Sequence, residues 1–292
     1  MDPDPLDRFA SATRRWFAGT FAAPTPAQAQ AWEAIAAGEH TLVIAPTGSG
    51  KTLAAFLWAI DRLAQDPHRD PGTRVLYISP LKALAIDVER NLRTPLAGVS
   101  RIAEQDGQPA PRITVGVRSG DTTPARRREL VASPPDILIT TPESLFLMLT
   151  SAARETLAGV QTVIVDEVHA VAGTKRGAHL ALSLERLDGL LARPAQRIGL
   201  SATVRPPEEV ARFLAGAARI VNPPAAKTFE LAVQVPVADM ANLENNTIWP
   251  DVEARIVDLI EAHTSTIVFA NSRRLAERLT ARINEIHTER SG

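Results

Sequence analysis

The chain has 292 residues, a net charge of −1, 45% hydrophobic and 22% charged residues, and no cysteine. That composition supports a packed core spread over about two ordinary domains. It excludes disulfides and cysteine-ligated zinc, and it excludes a global basic field as the means of attracting a polyanion.

No apolar run approaches the roughly 18 to 20 residues that a membrane span needs. The N-terminus MDPDPLDRFASATRRWF has neither the basic start nor the apolar h-region of a secretory leader. A cytoplasmic protein with no membrane partner is the expectation. Residues 1–36 read as a helical segment, with Pro26 suited to a first helical turn. From 37 to 221, short apolar runs alternate with Ala/Leu-rich stretches. The runs are TLVIA (41–45), RVLYIS (74–79), ITVGV (113–117), DILIT (136–140), TVIVD (162–166) and RIGLS (197–201). Their nearly unbroken apolar character predicts parallel strands buried on both faces. Helices are expected over Thr52–Ala64, Leu81–Leu92, Pro124–Val131, Glu143–Leu149, Ala178–Leu191 and Pro207–Leu214. This alternation predicts a three-layer α/β domain with a mostly parallel sheet.

Residues 222–250, with NPPAAKTF, ELAVQVPV and ANLENNT, read as a linker. From Asp251, DVEARIVDLIEAH predicts a helix and STIVFANS a strand. RRLAERLTARINEI predicts an amphipathic helix with Leu275, Leu279 and Ile283 four apart. One strand and two helices do not complete a sheet. A whole first domain plus the opening of a second, a truncated product, is therefore expected.

Two segments carry chemistry. APTGSGKT (Ala45–Thr52) follows a strand and opens a helix, the context a phosphate-binding loop requires. Gly48 and Gly50 let the loop, with Thr47 and Ser49, turn backbone N–H groups toward phosphates. Lys51 would reach the β- and γ-phosphates and Thr52 would ligate Mg²⁺. In TVIVDEVHA (Thr162–Ala170), Asp166 ends a strand where it can hold the Mg²⁺ shell, and Glu167 can activate a water. Adjacent Asp-Glu favours hydrolysis over transfer to a second substrate. His169, two residues past Glu167, can sense the γ-phosphate side of the site and joins Glu167, Lys51 and Asp166 as a catalytic candidate. Taken alone, such acids fit a solvated turn and His169 fits a structural histidine. Beside the phosphate loop the chemical reading outweighs both. SAT (Ser201–Thr203) closes a strand where it can hydrogen-bond to His169.

In that order these segments resemble motifs I, II and III of superfamily two helicases of the DExH type. The resemblance extends to PTPAQ (Pro24–Gln28) as a Q-motif. It implies that Gln28 reads the adenine edge while an aromatic among Trp16, Phe17 and Phe21 covers the base. It further implies that SPLKALAID (Ser79–Asp87), with Pro80 and Lys82, is motif Ia, and that TTPESL (Thr140–Leu145), with Thr141 and Pro142, is motif Ib. RSGDTT (Arg118–Thr123), with Gly120 and Asp121, matches the loop between them. Each offers groups to a nucleic-acid backbone, contacts that position a strand without reading sequence. Taken singly, motif Ib is also a plain helix cap. Ser201 and Thr203 would couple the ATP site to that grip.

KRGAHLALSLERL (Lys175–Leu187), LSATVRPPEEVARFL (Leu200–Leu214) and IVFANSRRLAERLTARINE (Ile267–Glu285) narrow the likeness to the Lhr (large helicase-related) family. That family resemblance implies RecA-like domains with ATP and Mg²⁺ as cofactors. It implies 3′-to-5′ movement on single-stranded DNA, unwinding of DNA or RNA:DNA duplexes, and a link to DNA repair. FANSRR (Phe269–Arg274) resembles motif IV, while motifs V and VI are absent from these residues, and the arginine finger with them. Such an arginine is worth about 10³ to 10⁵ in rate. The chain alone is thus expected to bind ATP·Mg²⁺, hydrolyse slowly and not unwind, its second domain supplied by another chain. A DExH RNA helicase and an ATP-binding fragment without helicase activity remain open alternatives.

Overall fold

Four-residue apolar strands and the helices between them dominate the computed structural model, which describes residues 4–66, 68–202, 204–224, 230–237, 240 and 247–291. The side chains at 82, 83 and 85 lie outside that description. The chain divides into two units, 1–226 and 227–292.

The first unit begins with α1 (Ser11–Thr20) and α2 (Pro26–Ala36). There follow β1 (Thr41–Ile44), α3 (Lys51–Ala64), β2 (Val75–Ile78), α4 (Lys82–Gln105), β3 (Val115–Arg118) and α5 (Pro124–Ala132). Next are β4 (Ile137–Thr140), α6 (Pro142–Leu149), β5 (Thr162–Val165), α7 (His169–Ala172) and α8 (Lys175–Asp188). β6 (Gln196–Ser201), α9 (Pro207–Ala215) and β7 (Arg219–Val221) complete it. The strands form one seven-stranded sheet in the order β3-β4-β2-β5-β6-β1-β7, every pair parallel.

Residues on each strand alternate between two cores. Val43, Tyr77, Ile139, Ile164 and Ile198 face the layer containing Trp32, Phe56 and Val99. Leu42, Ile44, Leu76, Ile78, Leu138 and Val163 face the layer of Leu145, Met148, Leu180 and Leu214. Burial on both faces is the reason these runs lack the polar alternation of a half-exposed strand. The register places Ile44 beside Ser201 and Ile78 beside both Thr140 and Val165. The carboxyl ends of five strands therefore open on one edge, the place where parallel α/β sheets bind ligands.

Some elements differ from the sequence expectation. α4 does not stop at Leu92 but runs through Pro95 to Gln105. Val88, Leu92, Val99 and Ala103 keep one stripe of it buried, which offsets the roughly 3 kcal/mol that a proline costs inside a helix. β7 was not expected from its three residues; its partner β1 supplies the hydrogen bonds that define it.

His40 anchors the start of β1. Its carbonyl accepts the Arg219 N–H at 2.7 Å, and its Nδ1 accepts the Arg197 N–H at 3.0 Å. Burial, and then the Arg197 charge, lower its pKa from the usual 6.5. A histidine held neutral in the fold stabilises above its unfolded pKa, and that contribution is lost as pH falls through the lower folded value. Acidification from about pH 7.5 to about pH 5.5 is expected to lower the urea midpoint. His40→Asn, which keeps an acceptor but does not titrate, should flatten that dependence.

The second unit contains α10 (Trp249–Glu261) and α11 (Arg273–Ser291). Val257 and Leu279 are buried, Arg282 Nε lies 3.3 Å from Glu253 Oε2, and the Arg278 guanidinium sits 4.4 Å over Trp249. The strand expected over STIVFANS is not formed: residues 266–270 pair with no strand among the described residues. Ile267 and Phe269 are 78% and 90% exposed. A single extended run has no ladder partner for its N–H and C=O groups, so sequence preference alone does not make it a strand. Among the described residues no helix is long and apolar enough to cross a membrane.

Candidate active site

A cleft of about 570 Å³ opens at the carboxyl edge of the sheet. Thr47, Gly48, Gly50, Lys51 and Thr52 line it from one side, Asp166 and Glu167 from another, and Trp16 and Phe21 from a third. The loop after β1 bends through Gly48 (φ +81°) and Gly50 (φ +77°), a left-handed conformation in which a Cβ clashes with the following carbonyl. Gly50 is the N-cap of α3, and no side chain caps that helix, whereas threonines cap α2, α5, α6 and α8. The first N–H groups of α3 thus have no capping side chain. The Ser49 hydroxyl in the same loop is buried without a protein partner.

Gln28 does not present a free amide edge. Its Oε1 accepts the Thr25 N–H at 2.9 Å in a capping box, and its Nε2 donates to the Gly50 carbonyl at 3.3 Å. It therefore ties the start of α2 to the loop after β1, with one amide hydrogen and one lone pair remaining. Of the three upstream aromatics, Trp16 and Phe17 are buried in the core, and Phe21 is the exposed one that lines the cleft.

Across the cleft, Asp166 directly follows β5, and its N–H donates to the Ile78 carbonyl at 2.9 Å. One Asp166 carboxylate oxygen accepts the Glu167 N–H at 2.9 Å, and the other accepts the Tyr77 hydroxyl. Burial, and then Asp166, raise the Tyr77 pKa, so the phenol stays a donor. Glu167 has φ +44°, a left-handed conformation that costs a non-glycine residue roughly 1 to 2 kcal/mol. The bend turns its carboxylate into the cleft, where Oε2 lies 3.4 Å from His169 Nε2. His169 Nδ1 lies 3.1 Å from Ser201 Oγ at the end of β6. A continuous line Glu167–His169–Ser201 thus joins two neighbouring strand ends. Thr203 lies outside the described residues.

The residues of this edge suit a triphosphate with a divalent cation. Thr52 and Asp166 line the same cleft, and the buried Ser49 hydroxyl awaits a polar partner. Among the described residues no group of three metal-ligating side chains occurs. Mg²⁺ needs none, since it is bound through one or two protein oxygens plus phosphates and waters.

The other predicted contacts flank this edge. Pro80 is buried at the turn after β2, and Lys82 opens α4; the Lys82 side chain lies outside the description. Thr141 is buried, and its hydroxyl is spent capping Ser144 N–H at 3.3 Å. Any phosphate at the start of α6 would therefore meet backbone N–H groups and not that hydroxyl. Pro142 is buried in the first turn, while Gly120 and Asp121 are exposed after β3. Sequence reading assigned no role to Tyr77 or Arg176. Tyr77, the chain's sole tyrosine and set in an aliphatic strand, was the available signal, because a buried phenol seeks a partner.

A family model described as DEAD/DEAH box helicase matches residues 25–212. The chain is 78% identical, over 99% of its length, to the Lhr helicase/probable uracil glycosylase of Mycolicibacterium smegmatis, and covers 19% of that protein. It is 53% identical, again over 99% of its length, to the Lhr helicase/uracil glycosylase of Escherichia coli, covering 20% of it. The chain thus spans about a fifth of the length of these curated relatives. A solved structure of Mycobacterium smegmatis helicase Lhr bound to ssDNA and AMP-PNP matches with a TM-score of 0.85 at 78% identity, over 99% of this chain and 37% of that one.

Proposed function

Because the chain belongs to the DEAD/DEAH box helicase family, we propose that it is the ATP·Mg²⁺-binding part of a motor that, completed by a second domain, couples hydrolysis to 3′-to-5′ movement on single-stranded DNA. Separation of DNA and RNA:DNA duplexes in cytoplasmic DNA repair is the work assigned to that movement. The observation that carries the reading is Glu167, tied through His169 to Ser201, facing Lys51 and Thr52 across one cleft.

The uncapped start of α3 and the N–H groups of Thr47–Gly50 cradle the phosphates, and Lys51 neutralises the β- and γ-oxygens. Mg²⁺, held by Thr52 and Asp166 with phosphates and waters, would offset the negative charge of the transferred phosphoryl group. Tyr77 keeps Asp166 oriented. Glu167 takes the proton of the attacking water at its carboxylate, and His169 holds that carboxylate in place while anchored to Ser201. Phe21 covers the adenine, and the remaining hydrogen-bonding capacity of Gln28 reads its edge. A strand backbone is gripped by the starts of α4 and α6 and by the 119–121 loop. These contacts are with phosphates and carry no base preference.

Lys51→Ala should weaken binding of a fluorescent ATP analogue by about tenfold or more, equivalent to about 1.4 kcal/mol. Wild-type ATP turnover should rise more with single-stranded DNA than with RNA of the same sequence. Equal or greater stimulation by RNA would support the RNA-helicase reading. Turnover indifferent to either polymer would reduce the chain to a nucleotide-binding domain.

A further inference from the structure

Arg176, the second residue of α8, lies outside the ATP cleft and reaches both candidate strand-gripping segments. Its Nε and Nη2 donate to the two carboxylate oxygens of Glu143, the latter at 3.0 Å, and its Nη1 donates to the Pro80 carbonyl at 2.7 Å. Glu143 stands in the first turn of α6, and Pro80 in the turn after β2. The guanidinium fork therefore spans segments 63 residues apart in the chain and fixes one against the other.

Stability does not account for this arrangement. The two side chains are 37% and 55% exposed, and ion pairs so exposed contribute about 0 to 1 kcal/mol. Charge accounts for it better. A carboxylate in the first turn of α6 stands where a backbone phosphate would approach, and two like charges there repel. Bidentate pairing with Arg176 holds the Glu143 carboxyl below the usual carboxylate range and cancels its charge. The base of the fork is also fixed. Thr174 Oγ1 accepts the Gly177 N–H at 3.1 Å. A Cβ on Gly177 would lie 2.0 Å from the Val171 carbonyl oxygen of α7, the helix that opens with His169.

We propose that Arg176 is a positioning residue for the nucleic-acid strand. It locks the turn after β2 and the start of α6 in one register, and it removes the Glu143 charge that would repel a phosphate there. The inference rests on the reading of those two segments as the strand grip.

The test uses the 292-residue chain and a labelled single-stranded DNA, with fluorescence anisotropy at low ionic strength. Arg176→Ala should weaken binding about tenfold. Glu143→Gln should bind no more weakly than wild type, and the Arg176→Ala/Glu143→Gln double variant should recover most of the loss. Throughout, affinity for a fluorescent ATP analogue and the thermal midpoint (within about 2 °C) should hold. Unchanged binding by Arg176→Ala, or a double variant as weak as the single, overturns the proposal. So does a loss of binding matched by a fall in midpoint, which would make the residue structural. A wild-type chain that binds no strand overturns the strand-grip reading itself, an outcome separable from the others.

Discussion

Replacement of Glu167 by Gln is expected to slow nucleic-acid-stimulated ATP hydrolysis by about 10²- to 10⁴-fold. The size is that of losing a positioned general base. The amide matches the carboxylate in shape and keeps an oxygen within reach of His169 Nε2, 3.4 Å away in the wild type, but it does not take a proton. Lys51, the Thr47–Gly50 loop and the α3 start are untouched, so affinity for a fluorescent ATP analogue should stay within about twofold. Single-turnover hydrolysis read beside analogue binding separates the two effects. Turnover at the wild-type rate would place the base elsewhere, and a parallel loss of affinity would make Glu167 a binding residue.

Trp32→Ala should cost about 3 to 5 kcal/mol of folding stability. The indole is fully buried (0% exposed). Phe9 and Phe17 pack edge-on against it with centroids at 4.9 and 5.4 Å, and its Nε1 donates to the Ala54 carbonyl of α3 at 2.9 Å. The truncation leaves a cavity between α2 and the helix that begins at Lys51. Trp32→Phe retains most of the packing but not the hydrogen bond, and should lose less, about 1 to 2 kcal/mol. Urea unfolding of both variants checks the order. A loss below about 1 kcal/mol for Trp32→Ala would show that this region collapses around the void without strain.

The ion pair at Arg176, the His40 anchor and the Glu167–His169–Ser201 line share one property: each joins segments distant in the chain. His169 meets Ser201 because β5 and β6 are neighbours, and Arg176 meets Pro80 and Glu143 because the carboxyl ends of β2 and β4 lie side by side. Strand order decides those meetings.

What the sequence by itself determined was local. The apolar runs become strands, and those at the centre of the sheet, β1, β2, β4 and β5, are legible because a short apolar run suits burial on both faces. The glycine loop after β1 and the Asp166-Glu167 pair are legible as neighbours of one edge because each stands directly after an apolar strand, and the loop bends where Gly48 and Gly50 allow a positive φ. Even the link between His169 and Ser201 was within reach once those segments were ordered as motifs. The tertiary structure decided the rest. It carried α4 through Pro95 by burying Val88, Leu92, Val99 and Ala103, and it made a strand of Arg219–Val221 by giving it β1 to pair with. It left STIVFANS, the better strand by composition, unpaired. It engaged Gln28 with Thr25 and Gly50, and it brought Tyr77 to Asp166 and Arg176 to Glu143. The physical reason is the same in each case. Periodicity and spacing record what one segment prefers, whereas a partner for a hydrogen bond, a charge or an apolar face exists only once distant segments are packed together.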